Sequence, residues 1–252
     1  MKEPKGQLQS LWTRIEGLRI YSRMSEDPVP GRLPVVLIHG YGMSSRYMVP
    51  TARRLAMERT VYAPDLPGHG RSEDPGRTLT VPELASILYE WMDAAGLGRV
   101  VLLGNSMGSQ IAVELAVRHP ERIDRLILTA PTVDPEARTF LRQFPRFVRT
   151  AFAERPSLLF WVFWDYLRAG PRRIFWEMKV AFADRIEDKL RQVSMPSLVL
   201  RGGRDAIVPQ RWTEEVARGL GAGEVEVIEG AGHALNYSAA DELMRRIRPF
   251  LP

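Results

Sequence analysis

Short apolar runs alternate with amphipathic segments from residue 34 to residue 129, and this rhythm restricts the fold more than any other feature of the chain. Segments 34–38 (PVVLI), 60–63, 100–103 and 126–129 are short and aliphatic and end close to Gly, Pro or Asp, so they read as strands. Between them, 45–57, 81–95 and 109–119 carry apolar residues at helical spacing, such as Leu84, Ile87, Leu88 and Trp91, or Ile111 and Leu115. Strands separated by helices predict a parallel sheet covered by helices. Two earlier runs, 12–15 and 18–21, meet at Glu16-Gly17 and predict an antiparallel hairpin at the sheet edge.

The rhythm stops after Thr129. Residues from about 131 to 193 hold eight of the nine Phe and three of the six Trp, show no strand pattern, and are expected to form a helical insertion. Strand and helix signals then resume at 197–200, 210–220, 224–228 and 240–250. The expected organisation is a core of residues 1–133 and 194–252 interrupted by 134–193.

With 252 residues, 45% hydrophobic and 26% charged, the chain has the composition of an ordinary globular protein. The net charge of +5 is too small and too mixed in sign to argue for nucleic acid. Its distribution is more telling: residues 138–191 hold 12 Lys and Arg against 6 Asp and Glu, leaving 23 against 24 elsewhere. The whole basic excess therefore lies within residues 138–191, inside the insertion. The absence of cysteine excludes disulfides, thiolate metal sites and cysteine nucleophiles. Residues 1–11 lack a signal-peptide core, and the most apolar run, 157–164 (SLLFWVFW), is far short of the ~20 residues of a membrane helix. A cytoplasmic protein without stable membrane insertion is expected.

Gly104-Asn105-Ser106-Met107-Gly108 lies between a strand and a helix, the setting in which G-x-S-x-G forms a nucleophile elbow. A serine on so sharp a turn needs near-absent side chains two residues before and after it, where strand and helix crowd together. The turn would aim the Met107 N–H at the attacked carbonyl as one oxyanion donor. His39-Gly40-Tyr41-Gly42 follows another strand end, where the Tyr41 N–H is the expected second donor and Gly42 the alternative.

A serine hydroxyl needs a base of near-neutral pKa, and the chain has four histidines. His119 lies about 13 residues, or ~20 Å of helix, beyond Ser106. His39 at a strand end and His69 in a Gly-rich loop fit structural roles. His233, in Gly230-Ala231-Gly232-His233, follows the last strand and remains as the base, with activity expected to fall below a pH near ~6.5. Asp205, after the strand at 197–200, is the preferred orienting acid, and Asp134 competes with it.

With these residues placed, the chain from about residue 33 to residue 251 resembles the α/β-hydrolase fold family. The resemblance rests on His39-Gly40-Tyr41-Gly42, Asp65-Leu66-Pro67-Gly68-His69-Gly70-Arg71-Ser72, the Ser106 pentapeptide, Gly202-Gly203-Arg204-Asp205 and Gly232-His233. It implies an eight-stranded, mostly parallel sheet, a helical lid inserted after the sixth strand, and a triad of Ser106, Asp205 and His233. Asn105-Ser106-Met107-Gly108 is also similar to the elbow of the meta-cleavage-product hydrolases, although Gly42-Met43-Ser44 and Ala234 depart from their pattern. A carboxylesterase-type serine hydrolase is expected, with a carbon–carbon bond hydrolase or a monoglyceride lipase as alternatives. The lid aromatics, Phe144, Trp161 and Trp164 among them, are expected to line an apolar pocket, and more than half of the lid's large aromatics to form its own core. No cofactor or metal is expected. The expected partner is a small-molecule ester and not a nucleic acid, and a homodimer is left open.

Overall fold

The computed structural model describes residues 6–221 and 225–252. Among these, eight strands form one sheet: β1 (Leu8–Ile15), β2 (Leu18–Ser25), β3 (Val35–Ile38), β4 (Val61–Pro64), β5 (Val100–Asn105), β6 (Ile123–Thr129), β7 (Ser197–Gly202) and β8 (Val225–Ile228). Their order is β1-β2-β4-β3-β5-β6-β7-β8. β1 pairs with β2, and β2 with β4, antiparallel; every other pairing is parallel. The expected hairpin turns at Glu16 and Gly17, whose φ values of 45° and 88° are both positive, as a tight turn matching strand twist requires. Its strands run further than their apolar runs indicated, from Leu8 to Ser25. Residue 224, expected to open the last strand, lies outside the described residues.

The helices of the core are α1 (Val49–Leu55), α2 (Val81–Ala94) and α3 (Met107–Arg118). A short 3-10 turn over Ser45–Met48 replaces the start of the first expected helix. The N-terminus of α2 is closed by a capping box: Thr80 accepts from the Glu83 N–H while the Glu83 carboxylate accepts from the Thr80 N–H. Every residue of β3 and β5 is buried, and their side chains alternate between two cores. On one face Val36, Ile38 and Leu102 pack with Leu88, Trp91 and Ile111; on the other Val35, Leu37 and Leu103 pack with Met48 and Leu55. Aliphatic residues at both parities are what a parallel sheet covered on both faces demands.

Between β6 and β7 come three helices, α4 (Phe140–Ala151), α5 (Pro156–Ala169) and α6 (Pro171–Ala183). Pro156 and Pro171 open α5 and α6, where a missing N–H leaves no intrahelical bond unmade. Gly170 joins the two at φ 78°. The chain ends with α7 (Gln210–Gly219), the single turn α8 (Leu235–Ser238) and α9 (Ala240–Ile247), with Leu243 and Ile247 completing the second core.

Candidate active site

Ser106 sits between the end of β5 and the start of α3 at φ 56°, ψ −124°, a conformation that L side chains rarely adopt. Its neighbours make the turn possible. A Cβ on Gly104 would fall 2.3 Å from the Gly108 carbonyl oxygen, and one on Gly108 would fall 2.3 Å from the Ile38 carbonyl oxygen. The two glycines thus let the turn fold on itself and let α3 approach the end of β3. Asn105 fastens the same turn: its Nδ2 donates to Thr129 Oγ1 at 3.1 Å, and its Oδ1 accepts from the Tyr47 hydroxyl at 2.8 Å.

His233 and Asp205 arrive on the loops after β8 and β7. Asp205 Oδ2 lies 2.8 Å from His233 Nδ1, and Asp205 Oδ1 accepts the Ile207 and Val208 N–H groups at 2.8 and 3.2 Å. A carboxylate only accepts, so this contact places the proton on Nδ1 and leaves Nε2 as the basic nitrogen. Burial works against protonation of His233, but the charge and hydrogen bond of Asp205 outweigh it, and the charge of Glu154 adds to them; the pKa is held above the usual histidine value. His233 therefore takes up its second ring proton at a higher pH than an unperturbed imidazole, which titrates near ~6.5. Arg201 braces the acid loop through the Asp205 and Val208 carbonyls.

The competing acid is committed elsewhere. Asp134 is fully buried, with Oδ2 accepting from Arg146 at 2.7 Å and Oδ1 from Arg211 at 2.8 Å, which keep its pKa low against the opposing effect of burial. The other histidines are likewise engaged away from Ser106. Neutral His39 is fully buried; its Nδ1 meets the Gly40 carbonyl at 2.9 Å and its Nε2 accepts the Leu66 N–H at 3.0 Å. His69 Nε2 lies 3.1 Å from Glu177, and His119 stacks on Tyr89 with ring centroids 3.9 Å apart.

Ser106, Met107, Tyr41 and His233 all border one cavity of about 540 Å³, enclosed by α4, α5 and α6 and almost wholly apolar. Phe144 lines it, but Trp161 and Trp164 do not. On α5 the cavity side is Leu158, Leu159, Val162 and Tyr166, and helical register turns both tryptophans away from that stripe. Trp161 lies under the Arg46 guanidinium, 4.2 Å from the ring centroid, and Trp164 is exposed. Nor do the large aromatics form a core of the insertion: Phe140, Phe160, Phe163, Phe175 and Trp176 are all exposed. Three short helices in a single layer have one inward face and no second layer to cover the other.

Three contributors escaped the sequence reading. Asn105 lay in plain view inside the G-x-S-x-G motif. Glu154, on the loop after α4, accepts from the Ala234 N–H at 2.8 Å and from the Ser238 hydroxyl at 2.7 Å, tying the insertion to the histidine loop. Gln143 is buried in the cavity wall, and its Oε1 has no hydrogen-bond partner among the described residues. Nothing local in sequence marks the last two.

The family described as alpha/beta hydrolase fold matches residues 34–169, and one described as TAP-like protein matches residues 174–247. With the eight-stranded sheet and the serine turn at the end of β5, the chain belongs to the α/β-hydrolase fold family. It is 30% identical over 241 residues to the dihydrolipoyllysine-residue acetyltransferase component of an acetoin cleaving system from Pseudomonas putida, covering 88% of this chain and 64% of that one. The chain spans less than half the length of three further curated relatives. Among solved structures it resembles a thermophilic esterase from Thermogutta terrifontis (26% identity, TM-score 0.78, 97% of each chain). It also resembles the N-acyl homoserine lactonase AidH (25% identity, TM-score 0.75, 97% of this chain and 96% of that one).

Proposed function

We propose that the chain is a serine hydrolase that cleaves carboxylic esters with an apolar acyl or aryl group. The observation that carries this reading is the 2.8 Å pairing of His233 with Asp205 beside the strained Ser106 turn, at an apolar cavity. In the first step His233 Nε2 takes the Ser106 hydroxyl proton as Oγ attacks the ester carbonyl. The Met107 and Tyr41 N–H groups hold the oxyanion as it forms. The tetrahedral intermediate collapses by expelling the alcohol, which takes the proton back from His233. Water, deprotonated by the same histidine, then attacks the acyl-enzyme, and Ser106 leaves with that proton as the acid is released. Asp205 remains ionised throughout and stabilises the imidazolium.

Residues 134–193 act as a lid in this reading. A cavity of about 540 Å³ falls within the ~300–1,000 Å³ range of sites that enclose whole small molecules. Its apolar wall favours an acyl chain over a small polar group. The esterase and lactonase resemblances support ester chemistry. The test is hydrolysis of p-nitrophenyl esters of increasing acyl length. Ser106→Ala should abolish turnover with unchanged circular dichroism, and activity within about tenfold of wild type refutes the assignment, since loss of a triad serine costs orders of magnitude. Turnover of a vinylogous diketone in preference to esters would transfer the reading to carbon–carbon cleavage.

A further inference from the structure

Apart from Trp12 and Met57, every exposed large apolar side chain among the described residues belongs to residues 140–176. Leu141 is 83% and Phe152 84% exposed, with Phe160, Phe163, Leu167 and Trp176 also open to solvent. A soluble surface seldom concentrates apolar groups in this way without a partner. The exposed charges of the same region have one sign, since Glu154 between α4 and α5 is part-buried and bonded to the histidine loop. The acids of α4, α5 and α6 are Asp165 and Glu177, and both are buried. Arg142, Arg149, Arg155, Arg168, Arg172 and Lys179 are exposed, and none forms an ion pair among the described residues. The surface also connects to the interior: Phe140, Phe144, Phe147, Leu159 and Phe175 are exposed and at the same time line the cavity at Ser106. The mouth of the cavity therefore opens through the aromatic and basic face.

We propose that this face of α4–α6 docks on an anionic lipid surface, so that the mouth above Ser106 opens into the bilayer interface. Exposed aromatics interleaved with arginine and lysine match the acyl boundary and the anionic headgroups of such a surface. A second copy of the chain fits less well, because a symmetric pair would set the same basic patch against itself. Among the described residues no helix is long and apolar enough to cross a membrane, which makes the docking peripheral. Together with the hydrolase reading, on which this part rests, the arrangement lets a lipid-borne ester reach Ser106 without crossing water.

The experiment is co-sedimentation of the full chain with vesicles of phosphatidylcholine alone or with phosphatidylglycerol added. Anionic vesicles should bind the protein and neutral ones far less, with added salt weakening the binding. Arg149→Gln with Arg155→Gln should weaken it about thirtyfold, taking about 1 kcal/mol for each basic residue at an anionic surface. Phe152→Ser with Phe163→Ser should also release the protein, and neither pair should alter turnover of a short soluble ester, since none of the four lines the cavity. Equal binding to neutral and anionic vesicles, or binding unaffected by both pairs, overturns the proposal. So does a dimer in sedimentation velocity that Phe152→Ser with Phe163→Ser dissolves, because it names a second copy as the occupant. Ser106→Ala should bind vesicles as wild type does, so a failed hydrolase reading and a failed docking surface give separate results.

Discussion

Lowering the pH should destabilise this protein through His39, and the structure sets the size of the effect. Both ring nitrogens of His39 are in use, Nδ1 toward the Gly40 carbonyl and Nε2 as acceptor from the Leu66 N–H. A second ring proton would point at an N–H donor in a fully buried site. Burial, helped by the charge on His69 whose ring centroid lies 5.2 Å away, accordingly lowers the His39 pKa to about 3. An unfolded histidine titrates near ~6.5, so between these values the unfolded chain binds the extra proton and the folded chain does not. The stability contribution is therefore complete above ~6.5 and is lost as the pH falls toward 3, at about 1.4 kcal/mol per pH unit. At pH 5 the loss is about 2 kcal/mol, and by pH 3 about 5 kcal/mol, a large part of the ~5–15 kcal/mol that holds a domain together. The measurement is urea unfolding of wild type and His39→Gln at pH 8 and pH 5. Gln retains an acceptor for the Leu66 N–H and does not titrate, while every other group is common to both proteins. Wild type should lose about 2 kcal/mol more than the variant over that interval. Equal losses would show that His39 titrates alike in both states, and the argument from its two hydrogen bonds would fail.

Asp205→Asn should lower kcat by about 10⁴ through loss of the required tautomer. The residual activity should have its acid limb at lower pH than wild type, because the main influence raising the His233 pKa is gone; a limb that stays put would separate Asp205 from His233. Glu154→Gln keeps an acceptor for the Ala234 N–H but removes a charge, so the acid limb of kcat/KM should again move to lower pH, by less than in Asp205→Asn. An unchanged profile there would reduce Glu154 to a mechanical tie between insertion and core. Gln143→Leu replaces a buried carbonyl without a partner among the described residues by an apolar group of similar size and should raise thermal stability, by up to about 1–3 kcal/mol; a lower melting temperature would mean that the carbonyl is satisfied in solution.

What the sequence determined by itself is local. The strands could be placed from runs such as PVVLI because parallel strands buried on both faces need apolar residues at both parities. The Ser106 turn was legible because steric crowding admits only glycine at positions 104 and 108, and Glu16-Gly17 because both positions need positive φ. Elimination among four histidines reached His233 because His119 lies ~20 Å of helix beyond Ser106 and His39 and His69 lie in local settings that suggest structural roles. The different partners of Asp205 and Asp134 belong to the tertiary structure alone, since both acids follow strand ends and only packing presents Arg146 and Arg211 to Asp134 and His233 to Asp205. It alone turned Trp161 and Trp164 out of the cavity, because aromatic content says how much apolar surface a helix carries but register against its neighbours says where that surface goes. Glu154 meets Ala234 across 80 residues of chain, and the Asn105 amide meets the His233 carbonyl across 128. Contacts of that span exist only once the sheet has brought the ends of β5, β7 and β8 together, and no periodicity in the sequence encodes them.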